Sequence, residues 1–457
     1  TIMSPSTHLA RPLRIGMIGA GTVGGGVYEL IMNRLGGGNS SSNPTSETSP
    51  PATATPIITK ICVRDASKPR DFHIDASSTQ IVTDVQSILN DSEIDLVIEV
   101  AGGVTFAKDA VYASLKSGKS VVTANKALIA ENLEEIVDLV NEVNDNGDTK
   151  QSVKFGYEAS VCGGIPIIHT LQSVYKGDII NEVMGICNGT TNYMLGKMED
   201  GMDYDEVLKE AQDLGFAEAD PAADVEGYDV RAKIAILAKL AFGTIVPLET
   251  IPCMGITNIS VVDFAYAKSM GCTIKLIGTA VRQSQFGEHD GALSVYVSPK
   301  LVPNDHLLAS TTGPGNAVVI DSANLGTASY TGPGAGRYPT ANSIVADVMR
   351  VAENTCPILP FPLSSNIEVD NDYVSAFYIR ISFQDGLGIV RNVGELAMSQ
   401  GVSIHSILQQ PITDRMAADT VVTTEACKLS QVKALCALIE KEDYALSSPM
   451  CMPLISD

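Results

Sequence analysis

The sequence predicts an α/β fold of three parts: a parallel α/β unit at the N-terminus, a central α+β unit and a small C-terminal α+β unit. Short apolar runs alternate with helical patterns up to residue 157, which is typical of a parallel sheet. Alternating runs between residues 274 and 330 indicate antiparallel strands instead. From Tyr373 onward the elements follow a βαββα order, with a last strand near residues 450–455.

Composition limits the class of protein. A chain of 457 residues should hold two or three domains, because one core rarely grows past about 250–300 residues. An apolar share of 45% and a charged share of 18% are typical of a globular protein. No window approaches the roughly 18 apolar residues that a membrane span needs. The net charge of −22 argues against nucleic acid or an anionic membrane as a partner.

The nine cysteines stand singly, without C-x-x-C pairs. This pattern predicts small core residues in a reducing compartment, not disulfides or a zinc site. We therefore expect a cytoplasmic protein. An organelle stroma or matrix, reached with a targeting peptide that is later removed, stays open as the alternative.

The first strand, Leu13–Ile18, runs directly into the sequence GAGTVGGG and then into a helical pattern. This G-x-G-x-x-G spacing between a strand and a helix is the dinucleotide-binding pattern. Its glycines allow a tight turn, close approach of the pyrophosphate to the backbone and close helix–strand packing, and the helix N-terminus faces the phosphates. The expected cofactor contacts in this turn are Gly19, Gly21, Thr22, Val23 and Gly24.

The second strand indicates which nicotinamide cofactor is preferred. Residues Gly36–Pro56 are rich in Gly, Ser, Thr and Pro and predict a flexible surface insertion before it. The strand Ile57–Val63 then ends at Arg64, with Lys68 nearby. An acidic residue at this place holds the ribose hydroxyls of NAD, whereas a basic one accepts the 2′-phosphate of NADP. We expect NADP, and Asp65 keeps NAD open.

The rest of the first unit adds strands and helices that alternate. The predicted elements are a strand Ile94–Val100, a helix ending near Gly118, a strand Ser120–Val122, a helix Leu133–Val143 and a strand Val153–Tyr157. The sequence TANKALIA follows the third of these, so Lys126 lies at the carboxyl end of a strand, where open parallel sheets bind ligands. Lys126 is a candidate contact for the nicotinamide or for a substrate carboxylate, and a solvated loop lysine is the alternative.

Two further turns have the character of ligand sites. Glu158–Ile165 forms a glycine-containing turn whose backbone carbonyls could surround a monovalent cation, although a tight turn with positive φ explains it equally well. After the strand Ile179–Ile186, the sequence NGTT opens a helix. Its free N–H groups and the hydroxyls of Thr190 and Thr191 could bind a substrate carboxylate. A simple helix cap is the alternative.

An acidic segment followed by an apolar helix, Gly215–Phe242, carries the strongest catalytic signal. Asp229 and Lys233 are four residues apart and share a helix face that continues into core positions. A lysine held beside carboxylates in a low-dielectric site can exchange protons. The alternative is an acidic helix N-terminus with an ordinary surface ion pair. The carboxylates concerned are Glu218, Asp220, Asp224, Glu226 and Asp229.

The remaining elements complete the second and third parts. The predictions are a helix Ser260–Met270, strands Ile274–Val281, Ala292–Val297, Ala317–Asp321 and Leu325–Tyr330, and a helix after the glycine turn Gly332–Gly336 that returns to the first unit. The proline-rich segment Pro357–Asp372 is interpreted as a linker. The βαββα pattern after it indicates a small regulatory-type module.

Taken together, these motifs resemble the homoserine dehydrogenase family. The likeness rests on GAGTVGGG, VRDASK, TANKALIA, YEASVCGGIPII, NGTTNYML, the acidic segment and GPGAGRYPTA, which occur in the family's order. It implies a Rossmann-type nucleotide-binding domain (residues 1–157 with 332–356), a substrate-binding and dimerisation domain (158–331), a linker (357–372) and an ACT-like domain (373–457). The implied reaction is the reversible NAD(P)-dependent interconversion of L-homoserine and L-aspartate 4-semialdehyde, in threonine and methionine biosynthesis.

The resemblance also assigns roles to residues. Lys126 and Lys233 match the two active-site lysines, with Lys233 as proton donor. Glu218 and Asp229 match the acids that bind the substrate, and Asp224 lies in the same cluster and is a candidate with them. The carbonyls of Glu158, Val161, Gly163 and Ile165 match a site for Na⁺ or K⁺, and Gly336 matches a late cofactor contact.

Regulation and assembly are implied less directly. The ACT-like unit suggests a threonine effector, although QDGLGIV lacks the usual turn proline. A homodimer or homotetramer is expected. Two other functions stay open: another Rossmann-fold semialdehyde dehydrogenase or reductase, which should carry a catalytic Cys or His, and an amino-acid or cofactor sensor without activity.

Overall fold

The computed structural model describes residues 11–35, 54–145, 152–283, 291–357, 360–362, 365–412 and 414–455. These form two compact units, one from residues 1–177 with 333–364 and the other from residues 178–332 with 365–457. Residues 36–53 of the predicted insertion lie outside the described residues. No helix among the described residues is long and apolar enough to cross a membrane.

The elements are numbered in chain order. The strands are β1 (Leu13–Ile18), β2 (Pro56–Cys62), β3 (Gln80–Val82), β4 (Leu96–Glu99), β5 (Ser120–Thr123), β6 (Phe155–Gly156), β7 (Ile180–Ile186), β8 (Cys272–Gln283), β9 (Ala292–Pro303), β10 (Gly315–Ser322), β11 (Gly326–Pro333), β12 (Val374–Ser375), β13 (Phe377–Phe383), β14 (Ile404–Gln409), β15 (Ala418–Thr424), β16 (Cys427–Lys428) and β17 (Met450–Pro453). The α-helices are α1 (Thr22–Tyr28), α2 (Gln86–Leu89), α3 (Thr105–Lys116), α4 (Lys126–Glu131), α5 (Leu133–Asp145), α6 (Ile167–Ser173), α7 (Gly189–Glu199), α8 (Tyr204–Asp213), α9 (Ala222–Val225), α10 (Tyr228–Phe242), α11 (Val261–Ser269), α12 (Arg337–Ala352), α13 (Ile389–Ser399) and α14 (Leu429–Ile439). A π-helical stretch, Glu29–Arg34, continues α1.

The first unit is built on a six-stranded sheet in the order β3-β2-β1-β4-β5-β6. The neighbouring strands pair in parallel. This is the strand order of a doubly wound nucleotide-binding fold. The order of the strands reverses between β1 and β4, and a crevice opens there at their carboxyl ends. The central strands carry the core, with Ile15, Met17 and Ile98 fully buried. The predicted α/β class of the N-terminal part is confirmed.

Helix α12 returns to the first unit, as the sequence predicted. It packs on α1 where glycine leaves no side chain in the way: a Cβ at Gly26 would lie 3.0 Å from the Cβ of Ala341 and 2.9 Å from the backbone oxygen of Arg337. The Arg337 guanidinium forms ion pairs with Glu29 (3.1 Å) and Asp71. The packing therefore holds the start of α12 against the helix that follows the glycine turn.

The second unit contains a five-stranded sheet in the order β11-β10-β7-β8-β9. Strands β7, β8, β9 and β10 pair antiparallel, as predicted. Helix α10 packs closely on β8, because a Cβ at Gly278 would lie only 2.9 Å from Val230 and 3.1 Å from Ile234. Strands β8 and β9 are longer than predicted. They pair over their whole length, from Cys272 opposite Pro303 to Gln283 opposite Ala292.

The C-terminal residues of the second unit form a four-stranded antiparallel sheet, ordered β14-β15-β13-β17, with helices α13 and α14. The βαββαβ element order is the one predicted. A core of buried residues joins sheet and helices and includes Phe377, Ile379, Val432 and Leu435. Alternation of apolar residues along β13 and the apolar stripe of α14 account for this packing.

Parts of the predicted linker are packed against their own units. In the first unit, Phe361 stacks on Tyr157 with ring centroids 4.8 Å apart, and the Tyr157 hydroxyl donates to the carbonyl of Pro360 (2.8 Å). In the second unit, the backbone N–H of Ser365 donates to the carbonyl of Gly243 (3.1 Å). Pro360, Phe361 and Ser365 of this segment are thus each held by contacts with the unit to which they belong.

Candidate active site

A cleft of 1150 Å³ opens beside the glycine turn in the first unit. It is larger than the roughly 300–1,000 Å³ of most small-ligand pockets. Four loops at the carboxyl ends of β1, β2, β3 and β4 line it, which is where a doubly wound sheet binds its ligand. The predicted cofactor residues in this lining are Gly19, Gly21, Thr22, Arg64 and Lys68.

Each of the three positions in the turn requires glycine for a different physical reason. Gly19 has φ +107°, and a Cβ there would lie 2.6 Å from the carbonyl oxygen of Val100. A Cβ at Gly24 would lie 2.6 Å from the carbonyl oxygen of Gly19, so this glycine serves the turn's own packing. Gly21 has no atom within 4 Å of its Cβ position and leaves the backbone open to a ligand. This cradle fits a dinucleotide pyrophosphate.

Four of the predicted cofactor residues lie outside the cleft lining: Val23, Gly24, Lys126 and Gly336. Val23 packs with the core of the first unit. Gly336, with φ +118°, precedes the first turn of α12. The glycine turn and the β2 loop are therefore the predicted contacts that the cleft brings together.

In the loop after β2, the basic side chains are exposed, whereas the acidic side chain is hydrogen-bonded within the loop. Arg64 and Lys68 are exposed and line the cleft. The Asp65 carboxylate accepts hydrogen bonds from the Ser67 N–H (2.8 Å) and hydroxyl (2.6 Å), and these bonds lower the pKa of Asp65. The acid is thus engaged with its own loop, while the two basic side chains face the solvent side of the cleft.

Lys126 begins helix α4 and is half-buried, so the predicted loop lysine is in fact the first residue of a helix. Asn125 caps this helix by accepting from the N–H of Leu128 (3.1 Å). Its amide also donates to the carbonyl of Gly103 (2.7 Å), a residue of the cleft lining. Asn125 therefore ties the start of α4 to a loop of the cofactor cleft.

In the second unit, Lys233 and Asp229 form a buried ion pair, Nζ to Oδ2 at 2.8 Å. The two side chains are 9% and 5% exposed, so the alternative of a surface ion pair is wrong. The Lys233 amine also donates to the carbonyl of Cys187 (2.5 Å). Helix geometry places residues i and i+4 on one face, and the apolar remainder of α10 buries that face.

A second carboxylate joins this pair through Asn188, which ends the β7 loop. The Asn188 amide donates to Asp224 Oδ1 (2.6 Å) and to Asp229 Oδ2 (2.9 Å). Asp224 lies on the short helix α9, and Asp229 lies in the first turn of α10. Gly227 makes the bend between the two helices with φ +81°. The acidic segment thus folds so that two of its carboxylates meet at one amide.

The other predicted substrate residues are placed differently. Glu218 is exposed. Asn188, and neither threonine, caps α7, since its Oδ1 accepts from the N–H of Thr191 (2.9 Å). The Thr191 hydroxyl donates to Asn188 Oδ1 (3.0 Å), and the Thr190 hydroxyl donates to the carbonyl of Phe216 (2.7 Å). Both hydroxyl protons are therefore committed to protein acceptors, and so is the Thr191 N–H. The candidate anion donors of the first turn are the backbone N–H groups of Gly189 and Thr190.

Two family models match the chain: the homoserine dehydrogenase NAD-binding domain over residues 19–149 and homoserine dehydrogenase over residues 166–349. The homoserine dehydrogenase of Bacillus subtilis is 38% identical over 423 residues, covering 90% of this chain and 92% of that protein. The chain belongs to the homoserine dehydrogenase family. The Neisseria gonorrhoeae homoserine dehydrogenase is 33% identical over 97% of this chain and 98% of its own length. A crystal structure of a homoserine dehydrogenase from Thiobacillus denitrificans has a TM-score of 0.84 at 30% identity, covering 98% and 99% of the two chains.

Membership of the homoserine dehydrogenase family settles the reaction class predicted from the motifs. The chain is an oxidoreductase with a nicotinamide-binding domain, and it interconverts L-homoserine and L-aspartate 4-semialdehyde. The two alternatives, another semialdehyde dehydrogenase and a sensor without activity, are not supported by any of these similarities.

The turn at residues 158–165, predicted to hold a cation in this homoserine dehydrogenase, lies in the first unit. Cys162 and Gly163 have φ +52° and +35°, which turns successive carbonyls away from a regular ladder. The carbonyl of Gly163 accepts from the Ser343 hydroxyl (2.6 Å), and that of Ile165 accepts from the N–H of Ile167 (2.8 Å). A carbonyl has two lone pairs, so each can still contact a cation.

A buried pair of acids supports this turn and was not found from the sequence. Asp347, 2% exposed on α12, accepts from the backbone N–H of Glu158 (2.9 Å). The Glu158 carboxylate in turn accepts from the N–H groups of Ile168 (2.9 Å) and His169 (2.6 Å) at the start of α6. Burial, with Asp347 nearby, raises the pKa of Glu158 to about 8. Burial raises the pKa of Asp347 to about 6.

This pair should make stability fall as pH rises. Unfolded Asp and Glu have pKa values of about 3.9 and 4.3, so between those values and about 6 to 8 the folded chain binds more protons than the unfolded chain. The stabilisation is complete below about pH 4 and is lost as pH rises through the folded values. We expect Asp347→Asn to reduce the loss of melting temperature between pH 5.5 and 8.5 by roughly 3 °C. Glu353→Gln, an exposed acid that ends the same helix, is the control, and equal slopes in Asp347→Asn and wild type would refute the assignment.

Three buried polar residues at or near these sites escaped the sequence argument, namely Glu99, Thr123 and Asp347, and so did the side-chain contacts of Asn188. Each interrupts an otherwise apolar strand or helix, or, for Asn188, stands at a strand end. Glu99, which is fully buried at the end of β4, accepts from the Thr123 hydroxyl (2.7 Å) and from the N–H of Ala101 (2.9 Å). It thereby holds the loop that lines the cofactor cleft. A charged residue within a buried strand was the signal that could have found it.

Proposed function

We propose that Lys233 is the proton donor and acceptor of this homoserine dehydrogenase, and that Asp229 holds it in place. The observation that supports this most is the buried pair itself: a charge removed from water stays only where a partner compensates it. Asp229 and the Cys187 carbonyl both accept from the Lys233 amine.

Substrate binding follows from the charges of L-homoserine. Its ammonium needs carboxylates, for which we propose Asp224, Asp229 and Glu218. Its carboxylate needs donors, for which we propose the first turn of α7, where the N–H of Thr191 is taken by Asn188 and those of Gly189 and Thr190 begin the helix. On the family resemblance we also propose Lys126 as a residue of the active site. Helix α7 is 11 residues long, so its dipole favours an anion at that end.

The chemistry then balances with one hydride and one proton. In the direction of aldehyde reduction, a nicotinamide cofactor held at the glycine turn of Gly19 and Gly21 would supply the hydride that the carbonyl carbon of aspartate semialdehyde needs. The Lys233 ammonium donates a proton to the alkoxide oxygen that develops, and a proton from solvent then restores the ammonium. In the reverse direction, the neutral amine takes the hydroxyl proton of homoserine. The protein's own contributions are orientation and this proton transfer.

We propose NADP as the preferred cofactor. Arg64 and Lys68 line the cleft with exposed cationic side chains, and Asp65 is engaged by Ser67. In a doubly wound fold a basic side chain at this position accepts a 2′-phosphate.

The test is a steady-state comparison of NADPH and NADH at saturating aspartate semialdehyde, followed by absorbance at 340 nm. We expect kcat/KM for NADPH to exceed that for NADH by at least about tenfold, because charge-assisted hydrogen bonds to a phosphate are worth roughly 1.5–3 kcal/mol. Equal values with both cofactors would mean that these basic residues do not contact the 2′-phosphate.

We propose three further features on the strength of the family resemblance. The carbonyls of Glu158, Val161, Gly163 and Ile165 hold Na⁺ or K⁺, which would stiffen the turn between the sheet and α6. The C-terminal βαββαβ module acts as an ACT-type domain that binds threonine and lowers the forward rate, and the protein works as a homodimer or homotetramer. A threonine titration of the forward rate that leaves it unchanged at millimolar concentration would exclude that effector role.

A further inference from the structure

Asn188 uses both ends of its side-chain amide, and it joins elements that are far apart in sequence. It is 5% exposed. At the nitrogen end it donates to Asp224 (2.6 Å) and Asp229 (2.9 Å). At the oxygen end it accepts from the Thr191 N–H (2.9 Å) and hydroxyl (3.0 Å). All four bonds have good hydrogen-bond distances, so the orientation of this amide is fixed by its partners.

The two ends of the amide serve opposite charges. The nitrogen end faces two carboxylates, which would attract a cationic group. The oxygen end caps α7, whose first turn would attract an anionic group. A side-chain amide is only about 2.3 Å from N to O, a distance that follows from its covalent geometry. The cationic and anionic subsites are therefore held at a short, fixed separation by one planar group.

The same amide also relieves a strain between the acids. Two carboxylates that share a partly desolvated site repel each other, and this repulsion is stronger in low dielectric than in water. Donation from one NH₂ group to both of them compensates part of that repulsion. The neighbouring residue adds to the arrangement, because the Cys187 carbonyl accepts from Lys233 (2.5 Å). The end of β7 thus fixes the acids, the helix start and the lysine together.

We propose that Asn188 is a positioning residue for substrate recognition, which sets the spacing between the acid pair and the N-terminus of α7. In this way it selects substrates that carry an ammonium and a carboxylate on the same carbon. This inference rests on the proposed substrate-binding roles of Asp224, Asp229 and α7. It assigns no proton transfer to Asn188, which acts through the groups that it holds.

Two substitutions separate positioning from simple helix capping. Ser and Asp are both good N-cap residues, so Asn188→Ser and Asn188→Asp each retain an acceptor for the Thr191 N–H. Neither retains the NH₂ donor, and Asn188→Asp adds a third negative charge beside the two acids. A capping role predicts that the two variants are equally active. A positioning role predicts that Asn188→Asp is the more damaged although its helix cap is intact.

We expect kcat/KM for homoserine to fall roughly 10-fold in Asn188→Ser and roughly 100-fold in Asn188→Asp, the range for hydrogen bonds to charged groups. Most of the change should appear in KM for homoserine, with KM for NADP unchanged within about twofold. The preference for homoserine over 4-hydroxybutyrate, which lacks the ammonium, should shrink in both variants. Disturbing the acids should lower kcat/KM for homoserine more than for 4-hydroxybutyrate, because only homoserine has an ammonium for the acids to bind.

The matched control is Asn192→Ser on the same helix. Asn192 is 1% exposed and donates to the carbonyls of Thr311, Gly313 and Gly315. Its replacement should lower the melting temperature and leave the ratio of homoserine to 4-hydroxybutyrate unchanged. Wild-type turnover of homoserine tests the proposed function separately. If the wild type is active, and both Asn188 variants keep that ratio with equal kcat/KM, the positioning role is wrong.

Discussion

Replacing Lys233 by alanine is expected to lower kcat by about two to four orders of magnitude, the range that general acid–base catalysis supplies. The variant loses the amine that donates to Asp229 and to the Cys187 carbonyl. Turnover is followed at 340 nm, and cofactor binding is measured separately by titration. Affinity for NADP should stay near that of the wild type, since the glycine turn belongs to another part of the chain.

The structure offers a matched control for this experiment. Lys239 lies on the same helix, is fully buried and donates to the carbonyl of Gly243 (3.0 Å). Burial also lowers the pKa of Lys239. Lys239→Met removes a buried amine from α10 without touching Asp229 or Asn188. It should alter the melting temperature and leave kcat within about threefold of wild type. Equal loss of turnover in the two variants would attribute the effect to packing of α10.

Replacing Asp229 by asparagine is expected to lower kcat/KM for homoserine by about two to three orders of magnitude. The substitution keeps the shape and removes the charge, so the buried Lys233 amine loses the ion pair with Asp229, and breaking a buried ion pair typically costs about 3–5 kcal/mol. The Asn188 amide would also lose one of its two ionised acceptors. Both kcat and KM should change, because the acid is proposed to orient the amine and to attract the substrate ammonium.

Asp220→Asn is the control for that experiment. Asp220 belongs to the same acidic segment, and its exposed carboxylate accepts from the N–H of Ala222 (3.1 Å) at the start of α9. Its loss removes one negative charge from the segment but leaves the Lys233 pair intact. We expect less than a threefold change in kcat/KM. If both variants lose activity to the same extent, general charge of the segment matters more than the buried pair.

Local patterns predicted the elements well because their causes are local. The glycine turn needed only the spacing of Gly19, Gly21 and Gly24 between a strand and a helix, and β1 has the predicted bounds. The i, i+4 relation of Asp229 and Lys233 likewise follows from helix geometry. Their burial did not follow, since a solvated ion pair has the same spacing. Burial depends on the sheet that α10 covers, and Gly278 and Val230 meet only in the fold.

Long-range partners were beyond the reach of the sequence. Asn188 lies 36 residues from Asp224 and 41 from Asp229, and nothing in the NGTT motif indicates which acids its amide contacts. Asp347 is 189 residues from Glu158. The threonines were more conspicuous candidates for a helix cap than Asn188, but the asparagine side chain alone has both an acceptor for the helix and donors for the acids. Such partners can be read only from the folded chain.

The central claim is that the Lys233 amine meets the reacting oxygen of the substrate. A crystal structure of the wild-type protein with NADPH and L-homoserine, a pair that cannot react with each other, tests it most directly. The account predicts the Lys233 Nζ within about 2.6–3.2 Å of the homoserine hydroxyl oxygen, with the substrate ammonium against Asp224 or Asp229. Homoserine bound with its hydroxyl oxygen beyond hydrogen-bond reach of that amine, and with another group donating to it, would contradict the account.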